Sequence, residues 1–280
     1  MWSFDGVRLE KDADFDALAA AFADLTTCAG AIAMEVLAAP AIEARAKKDA
    51  SPVCEADERI EAFLAQRLAE LLPGVPIVAE EAAAAGAQFA RAETFLLVDP
   101  LDGTREFLAR SGEFTINIGL VVARTPRAGA VFAPARGRLW FAGARAFAAD
   151  AQPGRPAPER AAWRPLRVRA LPVEGPMALV SRSHLDAETK AFLATHRVAA
   201  TRDVGSSIKF CLLAEGAADL YPRFGPTMEW DTAAGDAVLR AAGGGVVDPS
   251  GRPLAYGKAE ASYRNGPFIA FGDPAAARLC

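Results

Sequence analysis

The sequence predicts a two-part α/β protein, with an α+β N-terminal half followed by an α/β C-terminal half. In the first half, apolar residues recur at helical spacing over residues 15–34 and 57–72, and short strand-like apolar runs follow them. In the second half, strand-like and helix-like segments alternate, which is typical of an α/β arrangement. Segment 152–165 contains four prolines among arginines and alanines, so it is the best place for a joint. We therefore divide the chain into residues 1–160 and 161–280.

The N-terminal half is predicted to begin with two amphipathic helices, and the Pro73-Gly74 pair ends the second of them. A short buried strand over 77–79 then stops at Glu80-Glu81. The apolar run 95–98 predicts another short strand, which Pro100 and Gly103 end. Short apolar runs separated by Gly, Pro and Arg then predict an antiparallel meander, with strands at 114–122, 130–132, 138–141 and 146–148.

The C-terminal half is predicted to alternate between strands and helices. The strands are expected at 178–180 and near Leu220, Val246 and Phe268. The helices are expected at 186–196, 206–215 and 231–242.

Composition and charge exclude several classes of protein. The chain has 280 residues, is 52% hydrophobic and 24% charged, and carries a formal charge of −4 without a basic stripe, which argues against a nucleic-acid partner. Residues 1–16 are mixed and acidic and so are not a secretory signal, and no apolar run approaches the ~20 residues of a membrane span. The cysteines are scattered, which predicts neither a disulfide framework nor a zinc site: Cys28, Cys54, Cys211 and Cys280. We expect a reduced, cytoplasmic protein.

The most informative segment is Asp99-Pro100-Leu101-Asp102-Gly103-Thr104, directly after the run 95–98. Two carboxylates three residues apart at the end of a strand can face one cleft, with the hydroxyl of Thr104 just beyond them. Mg²⁺ takes oxygen ligands, usually a few carboxylates completed by phosphate and water. The alternative is an Asx-type turn, in which Asp99 and Asp102 only bond their own backbone.

Further acidic residues stand where predicted elements begin or end. Glu80 and Glu81 close a strand, whereas Asp57 and Asp231 come at the starts of helices. Each has a simpler explanation alone: a solvated loop for the glutamates and a helix N-cap for the aspartates. Together they suggest ligands from both halves of the chain that converge on a shared cleft.

Three blocks of the sequence resemble the signatures of the inositol monophosphatase superfamily: 78–81, 99–104 and 230–235. The resemblance spans about residues 46–270 and implies a Mg²⁺-dependent, lithium-sensitive phosphatase with a layered α-β-α-β-α sugar-phosphatase fold. Further segments resemble its 3′(2′),5′-bisphosphate nucleotidase branch: 51–53, 112–117, 181–184, 205–211 and 220–227. Two residues depart from that pattern, because Cys54 stands where threonine is usual and Arg105 where lysine is usual.

The resemblance implies roles for the acidic residues. Glu80, Asp99 and the carbonyl of Leu101 would hold one Mg²⁺, and Asp99, Asp102 and Asp231 a second. Asp57 would help to anchor a third ion or a metal-bound water.

The resemblance also implies a catalytic hydroxyl. Thr104, paired with Glu80 or Asp57, would orient and deprotonate the attacking water. The backbone N–H groups of Gly103 and Thr104 would bind the reacting phosphate, so that the substrate lies against 101–104 and Asp231.

Substrate recognition is expected from the C-terminal half. Lys209 and Arg223 are candidates for the phosphate that is not cleaved, as a point charge and a planar fork respectively. His184 and Ser206 could contact the ribose, the base or a phosphate. The alternative for Lys209 and Arg223 is that they are plain surface charges.

The implied activity is removal of the 3′-phosphate from adenosine 3′,5′-bisphosphate, a housekeeping reaction of sulfur metabolism. The alternatives are an inositol monophosphatase, a fructose-1,6-bisphosphatase, or a nucleotide-binding sensor without catalysis. The expected partner is a small nucleotide bisphosphate, and no nucleic acid. For the location, the resemblance implies the cytoplasm, with a peripheral position on the inner face of the membrane as the alternative.

Overall fold

The computed structural model describes residues 14–47 and 52–279, and their side chains as far as residue 276. The helices are α1 Phe15–Ala38, α2 Glu55–Leu71, α3 Glu80–Ala84, α4 Thr104–Leu108, α5 Ala187–Thr195, α6 Ile208–Ala214 and α7 Ala233–Ala241. The strands of the first half are β1 Ala44–Ala46, β2 Pro52–Cys54, β3 Ile77–Ala79, β4 Thr94–Asp102, β5 Thr115–Val122, β6 Thr125–Ala133, β7 Arg138–Ala142, β8 Ala146–Asp150 and β9 Arg164–Pro165. Those of the second half are β10 Met177–Ser181, β11 Ala200–Val204, β12 Leu220–Arg223, β13 Thr227–Met228, β14 Gly245–Val247, β15 Arg264–Asn265 and β16 Phe268–Phe271.

The first half is built on a seven-stranded sheet in the order β3-β4-β5-β6-β7-β8-β9. β3 runs parallel to β4, and every later neighbour is antiparallel, as short connections require. Helix α1 packs against β6 and β7, and α2 packs against β4. Apolar side chains of both helices, among them Phe22 and Leu64, are fully buried against this face.

The opposite face of this sheet is covered by α7, a helix of the second half. The contact is close because Gly119 of β5 and Gly129 of β6 have no side chain there. A Cβ atom on either glycine would lie within about 2.9 Å of Ala233 or Ala234. This approach places the N-terminal end of α7 on β5, the sheet neighbour of the strand that carries Asp99 and Asp102.

The second half is built on a five-stranded mixed sheet in the order β11-β10-β12-β16-β14. β10 is parallel to both its neighbours, whereas β16 is antiparallel to β12 and β14. Helices α6 and α7 lie between the two sheets, and α5 covers the outer face of the second. The layers therefore follow the order helix, sheet, helix, sheet, helix, and the predicted fold class is confirmed.

The elements predicted from apolar periodicity are present, although one strand is longer than predicted and several elements were not predicted, β11 being the longest strand among them. The strand expected to end at Pro100 instead runs for nine residues, Thr94–Asp102. Its register against β5 shifts between Asp99 and Asp102, and an irregular ladder of this kind accommodates a proline. The edge strand β11 was not predicted, because four of its five side chains are exposed and give no apolar pattern.

Helix α1 also departs from expectation, since it is long and apolar enough to cross a membrane by length and composition alone. Core helices pass the same test, and α1 packs against α2, β6 and β7 in this structure. Of the cysteines, Cys28, Cys54 and Cys211 are free thiols within the described ranges, and Cys280 lies outside them.

Candidate active site

A cleft of about 530 Å³ lies between the two halves of the chain. The first half lines it at the ends of β3 and β4, and the second half lines it after β10, at the start of α6 and before α7. Four of the predicted metal ligands line this cleft: Glu80, Asp99, Asp102 and Asp231. The structure thus brings acids from both halves together.

Asp99 and Asp102 lie on the irregular end of β4. Asp99 is 1% exposed and its Oδ1 accepts the Leu101 N–H at 3.0 Å, whereas Asp102 Oδ2 accepts the N–H of Ser207. Burial raises the pKa of Asp99 well above its ordinary value, and the nearby carboxylates raise it further. Burial likewise raises the pKa of Asp102 to about 6 although Lys209 opposes the change. An Asx-type bond is therefore present, but it is one feature of a dense acidic cluster.

Asp231 is held just before α7. Thr232, and not Asp231, is the N-cap residue of that helix, so the N-cap explanation for Asp231 is wrong. Its Oδ2 accepts the N–H of Met228 at 2.7 Å. Burial and the charges of Asp102 and Glu80 raise the pKa of Asp231 well above its ordinary value, and Asp231 lines the same cleft as these first-half acids.

Glu80 and Glu81 begin the short helix α3 and do not form the solvated loop considered above. Lys47 reaches both of them, with its Nζ at 2.6 Å from the Oε1 of each glutamate. Although burial disfavours its charge, these carboxylates raise the pKa of Lys47 above its ordinary value. Burial raises the pKa of Glu81 to about 7. Sequence reasoning missed Lys47, because nothing in the surrounding pattern marks it as a residue that turns inward.

Thr104 is paired with Asp57, not with Glu80. The Thr104 hydroxyl donates to Asp57 Oδ1 at 3.1 Å, and Asp57 is 1% exposed at the start of α2. The other carboxylate oxygen, Oδ2, accepts the Cys54 N–H and lies 2.9 Å from the Cys54 thiol sulfur. Burial raises the pKa of Asp57. Asp57 therefore caps α2 and also fixes the hydroxyl that lines the cleft.

Lys209 lies in the second-half wall and is 4% exposed. Its Nζ donates to the carbonyls of Val204, at 3.1 Å, and Ser206, at 2.5 Å, and lies 5.0 Å from the ring centre of Tyr221. Burial lowers the pKa of Lys209 to about 8 despite the opposing charge of Asp102. The predicted contact Ser206 lines the same wall.

Arg223 is 7% exposed and spans two loops of this wall. Its guanidinium donates to the carbonyls of His184, Gly225 and Pro226 at 3.0–3.3 Å. Three of its five N–H groups are used in this way, which leaves two for a ligand. The surface-charge explanation for Lys209 and Arg223 is therefore wrong, since both are buried and line the cleft.

His184 is exposed at the rim of the cleft, as its neighbours in the sequence predicted. Partial burial lowers the pKa of the His184 ring, and the charges of Arg223 and Arg105 act in the same direction. The first-half side of the cleft also includes Leu101, Gly103, Thr104 and Arg105. Segment 51–53 is one of those that carry the resemblance. Its Pro52 lines the cleft, and its Ser51 lies outside the described residues.

The donor chemistry of the cleft fits divalent cations. Carboxylate oxygens dominate it. Burial raises the pKa of both Asp99 and Asp231 and the neighbouring carboxylates raise it further, so a hard cation would favour the ionised form of these groups. Within residues 14–47 and 52–279, no three acidic, histidine or cysteine side chains are preassembled as a metal site. Each carboxylate instead bonds a nearby donor: Asp99 accepts the Leu101 N–H, Asp102 the Ser207 N–H, Asp231 the Met228 N–H and Glu80 the Lys47 ammonium.

Comparison with known proteins places these features in a family. The Inositol monophosphatase family matches residues 14–270. The 3′(2′),5′-bisphosphate nucleotidase CysQ of Shigella flexneri is 42% identical over 210 residues, which cover 75% of this chain and 81% of that protein. CysQ of Escherichia coli strain K12 is 41% identical over 215 residues, with the same coverage.

Solved structures agree. The crystal structure of CysQ from Bacteroides thetaiotaomicron superposes with a TM-score of 0.76 at 34% identity, covering 93% of this chain and 99% of that one. The Thermotoga maritima IMPase superposes with a TM-score of 0.75 at 21% identity, covering 94% of this chain and 95% of that one, and so shares the fold. The chain therefore belongs to the inositol monophosphatase family and is a metal-dependent phosphatase.

Proposed function

We propose that this enzyme hydrolyses the 3′-phosphate of adenosine 3′,5′-bisphosphate, giving AMP and inorganic phosphate. The observation that carries the proposal is the pair of buried cations, Lys209 and Arg223, in the wall facing the acidic cluster. A monophosphate would occupy the acidic side and leave these cations with carbonyl partners but no phosphate to bind. A second phosphate on the same substrate gives them one.

The two sides of the cleft would bind different parts of the substrate. We propose that the first half, residues 1–160, holds the cations and the reacting phosphate together with Asp231 of the second half, and that the rest of the second half, residues 161–280, recognises the remainder of the substrate. Glu80, Asp99, Asp102 and Asp231 would hold Mg²⁺, with the carbonyl of Leu101. When bound, two such ions stabilise the attacking and leaving oxygens of an in-line displacement.

The hydrolytic step needs an oriented water and a proton acceptor. Thr104 would accept a hydrogen bond from the water while it donates its own hydroxyl proton to Asp57, 3.1 Å away. The water oxygen forms a bond to phosphorus as the bond from phosphorus to the 3′-oxygen breaks. The water proton passes through Thr104 to Asp57, and the 3′-oxygen leaves as a hydroxyl after taking a proton from solvent.

On the side of the substrate that does not react, Arg223 would bind the 5′-phosphate through its two remaining N–H groups. Lys209, Ser206 and His184 would complete this subsite. The names of the CysQ relatives support this substrate class. Such an activity fits the housekeeping of sulfur metabolism in the cytoplasm.

The test is a phosphate-release panel with Mg²⁺, comparing adenosine 3′,5′-bisphosphate, inositol 1-phosphate and fructose 1,6-bisphosphate. We expect the nucleotide to have the highest kcat/KM of the three, exceeding that of inositol 1-phosphate by roughly tenfold or more, the worth of one charge-assisted contact. Asp102→Asn protein and an EDTA arm are the controls. A higher kcat/KM for either of the other substrates would reassign the enzyme, and no release from any of them would favour a nucleotide sensor.

A further inference from the structure

We propose that Glu113 is a positioning residue that holds segment 205–207 in place and thereby sets the preference for a bisphosphate. Glu113 precedes β5 in the first half and is 8% exposed. Its Oε2 accepts the N–H of Gly205 at 2.8 Å and the Nε of Arg182 at 3.0 Å, and its Oε1 accepts Arg136 at 2.7 Å. Gly205 and Arg182 belong to the second half, so one carboxylate joins both walls of the cleft.

The backbone at Gly205 allows this contact. A Cβ atom there would lie 2.9 Å from the carbonyl oxygen of Glu113 and 3.1 Å from Cγ of Glu106, so only glycine fits so closely. The next residue, Ser206, has a φ of +52°, a left-handed conformation that is unfavourable for serine. The contacts around the segment must therefore hold it in this shape.

Segment 205–207 connects Glu113 to the cleft. The Ser207 N–H donates to Asp102, and its hydroxyl donates to Asn117 Oδ1 at 2.7 Å. The Ser206 carbonyl accepts a bond from Lys209. A shift of this segment would therefore move Ser206 and Lys209, which the proposed function places against the phosphate that is not cleaved.

Glu215 provides a matched control. It also joins the two halves, since its Oε1 accepts Trp140 Nε1 at 2.8 Å and Arg138 Nε at 3.1 Å. Its side chain is 21% exposed, compared with 11% for Glu113. Glu215 does not line the cleft. Its replacement therefore removes hydrogen bonds between the halves without removing a contact of segment 205–207.

The experiment compares Glu113→Ala, Glu113→Gln and Glu215→Ala in kcat/KM for adenosine 3′,5′-bisphosphate and for 3′-AMP. We expect Glu113→Ala to reduce the bisphosphate preference by roughly tenfold or more, in line with the loss of a hydrogen bond to a charged group. Glu113→Gln, which keeps an acceptor for Gly205, should lose less. Glu215→Ala should leave the preference unchanged.

Amide hydrogen exchange over 203–209 gives a second readout that needs no substrate. We expect faster exchange there in Glu113→Ala than in the wild type or in Glu215→Ala. Unchanged exchange in this segment, or equal losses on both substrates, would overturn the role of Glu113. A wild-type enzyme without any preference for the bisphosphate would instead overturn the proposed function, on which the specificity part of this inference rests.

Discussion

Replacing Asp102 with asparagine should abolish turnover and yet stabilise the metal-free protein. The carboxylate of Asp102 lies in the acidic cleft, where burial raises its pKa from 3.8 to about 6. An asparagine keeps an oxygen acceptor for the Ser207 N–H and removes the charge. The variant therefore loses a proposed metal ligand and also loses the cost of burying its charge, to which repulsion by Glu106 and Glu80 adds.

The magnitude follows from the pKa of the folded state. A rise from 3.8 to about 6 corresponds to about 3 kcal/mol of unfolding free energy, at about 1.4 kcal/mol for each tenfold change in the ionisation constant. In a chain of this size such a gain raises Tm by about 5–10 °C.

The effect has a defined pH window. Below about pH 4 the carboxyl group is protonated in both folded and unfolded protein, so the wild type and the variant should differ little. Between about pH 4 and 6 the group ionises in the unfolded chain but stays protonated in the folded protein, so the metal-free wild type loses stability as pH rises through this range. The advantage of Asp102→Asn should therefore appear between about pH 4 and 6 and stay constant above pH 7.

Thermal unfolding in EDTA between pH 4.5 and 8 measures this difference. Mg²⁺ at 100 times its Kd should then stabilise the wild type by about 2.7 kcal/mol and have a much smaller effect on the variant. Asp203→Asn, at an exposed acid on β11, controls for the general loss of a negative charge. An equal or lower Tm for Asp102→Asn at pH 8, or turnover within tenfold of wild type, would refute the reasoning.

Three further predictions concern the substrate wall, the helix cap and the ions. Arg223→Ala should reduce the ratio of kcat/KM for adenosine 3′,5′-bisphosphate to that for 3′-AMP by about 10- to 150-fold. An equal loss of kcat/KM on both substrates would instead mean that Arg223 only supports the structure of the cleft. Cys54→Val should have about tenfold lower kcat than the isosteric Cys54→Thr, because only threonine donates to Asp57, and equal kcat values would contradict this. Li⁺ should inhibit phosphate release at concentrations where Na⁺ and K⁺ do not. A rate of phosphate release that none of the three salts changes would contradict this prediction.

The sequence predicted which acidic residues line the cleft, because the place of each one depends on the residues next to it in the chain. Glu80 follows a buried apolar strand, and Asp99 and Asp102 end another, so strand direction alone brings them to one edge. The bond between Lys47 and Glu80 could not be predicted in this way, since it joins residues 33 apart through tertiary packing. The same holds for the bond between Glu113 and Gly205, 92 residues apart.

The cleft depends on how its halves meet as much as on its acids. Asp231 reaches the first-half carboxylates because α7 lies directly on β5 and β6, and Gly119 and Gly129 permit that approach. A side chain at either glycine would push α7 outward and carry Asp231 away from Asp102 without altering a single ligand. In the sequence these glycines look like ordinary members of apolar strands. Their importance becomes visible only when the packing of α7 against them is known.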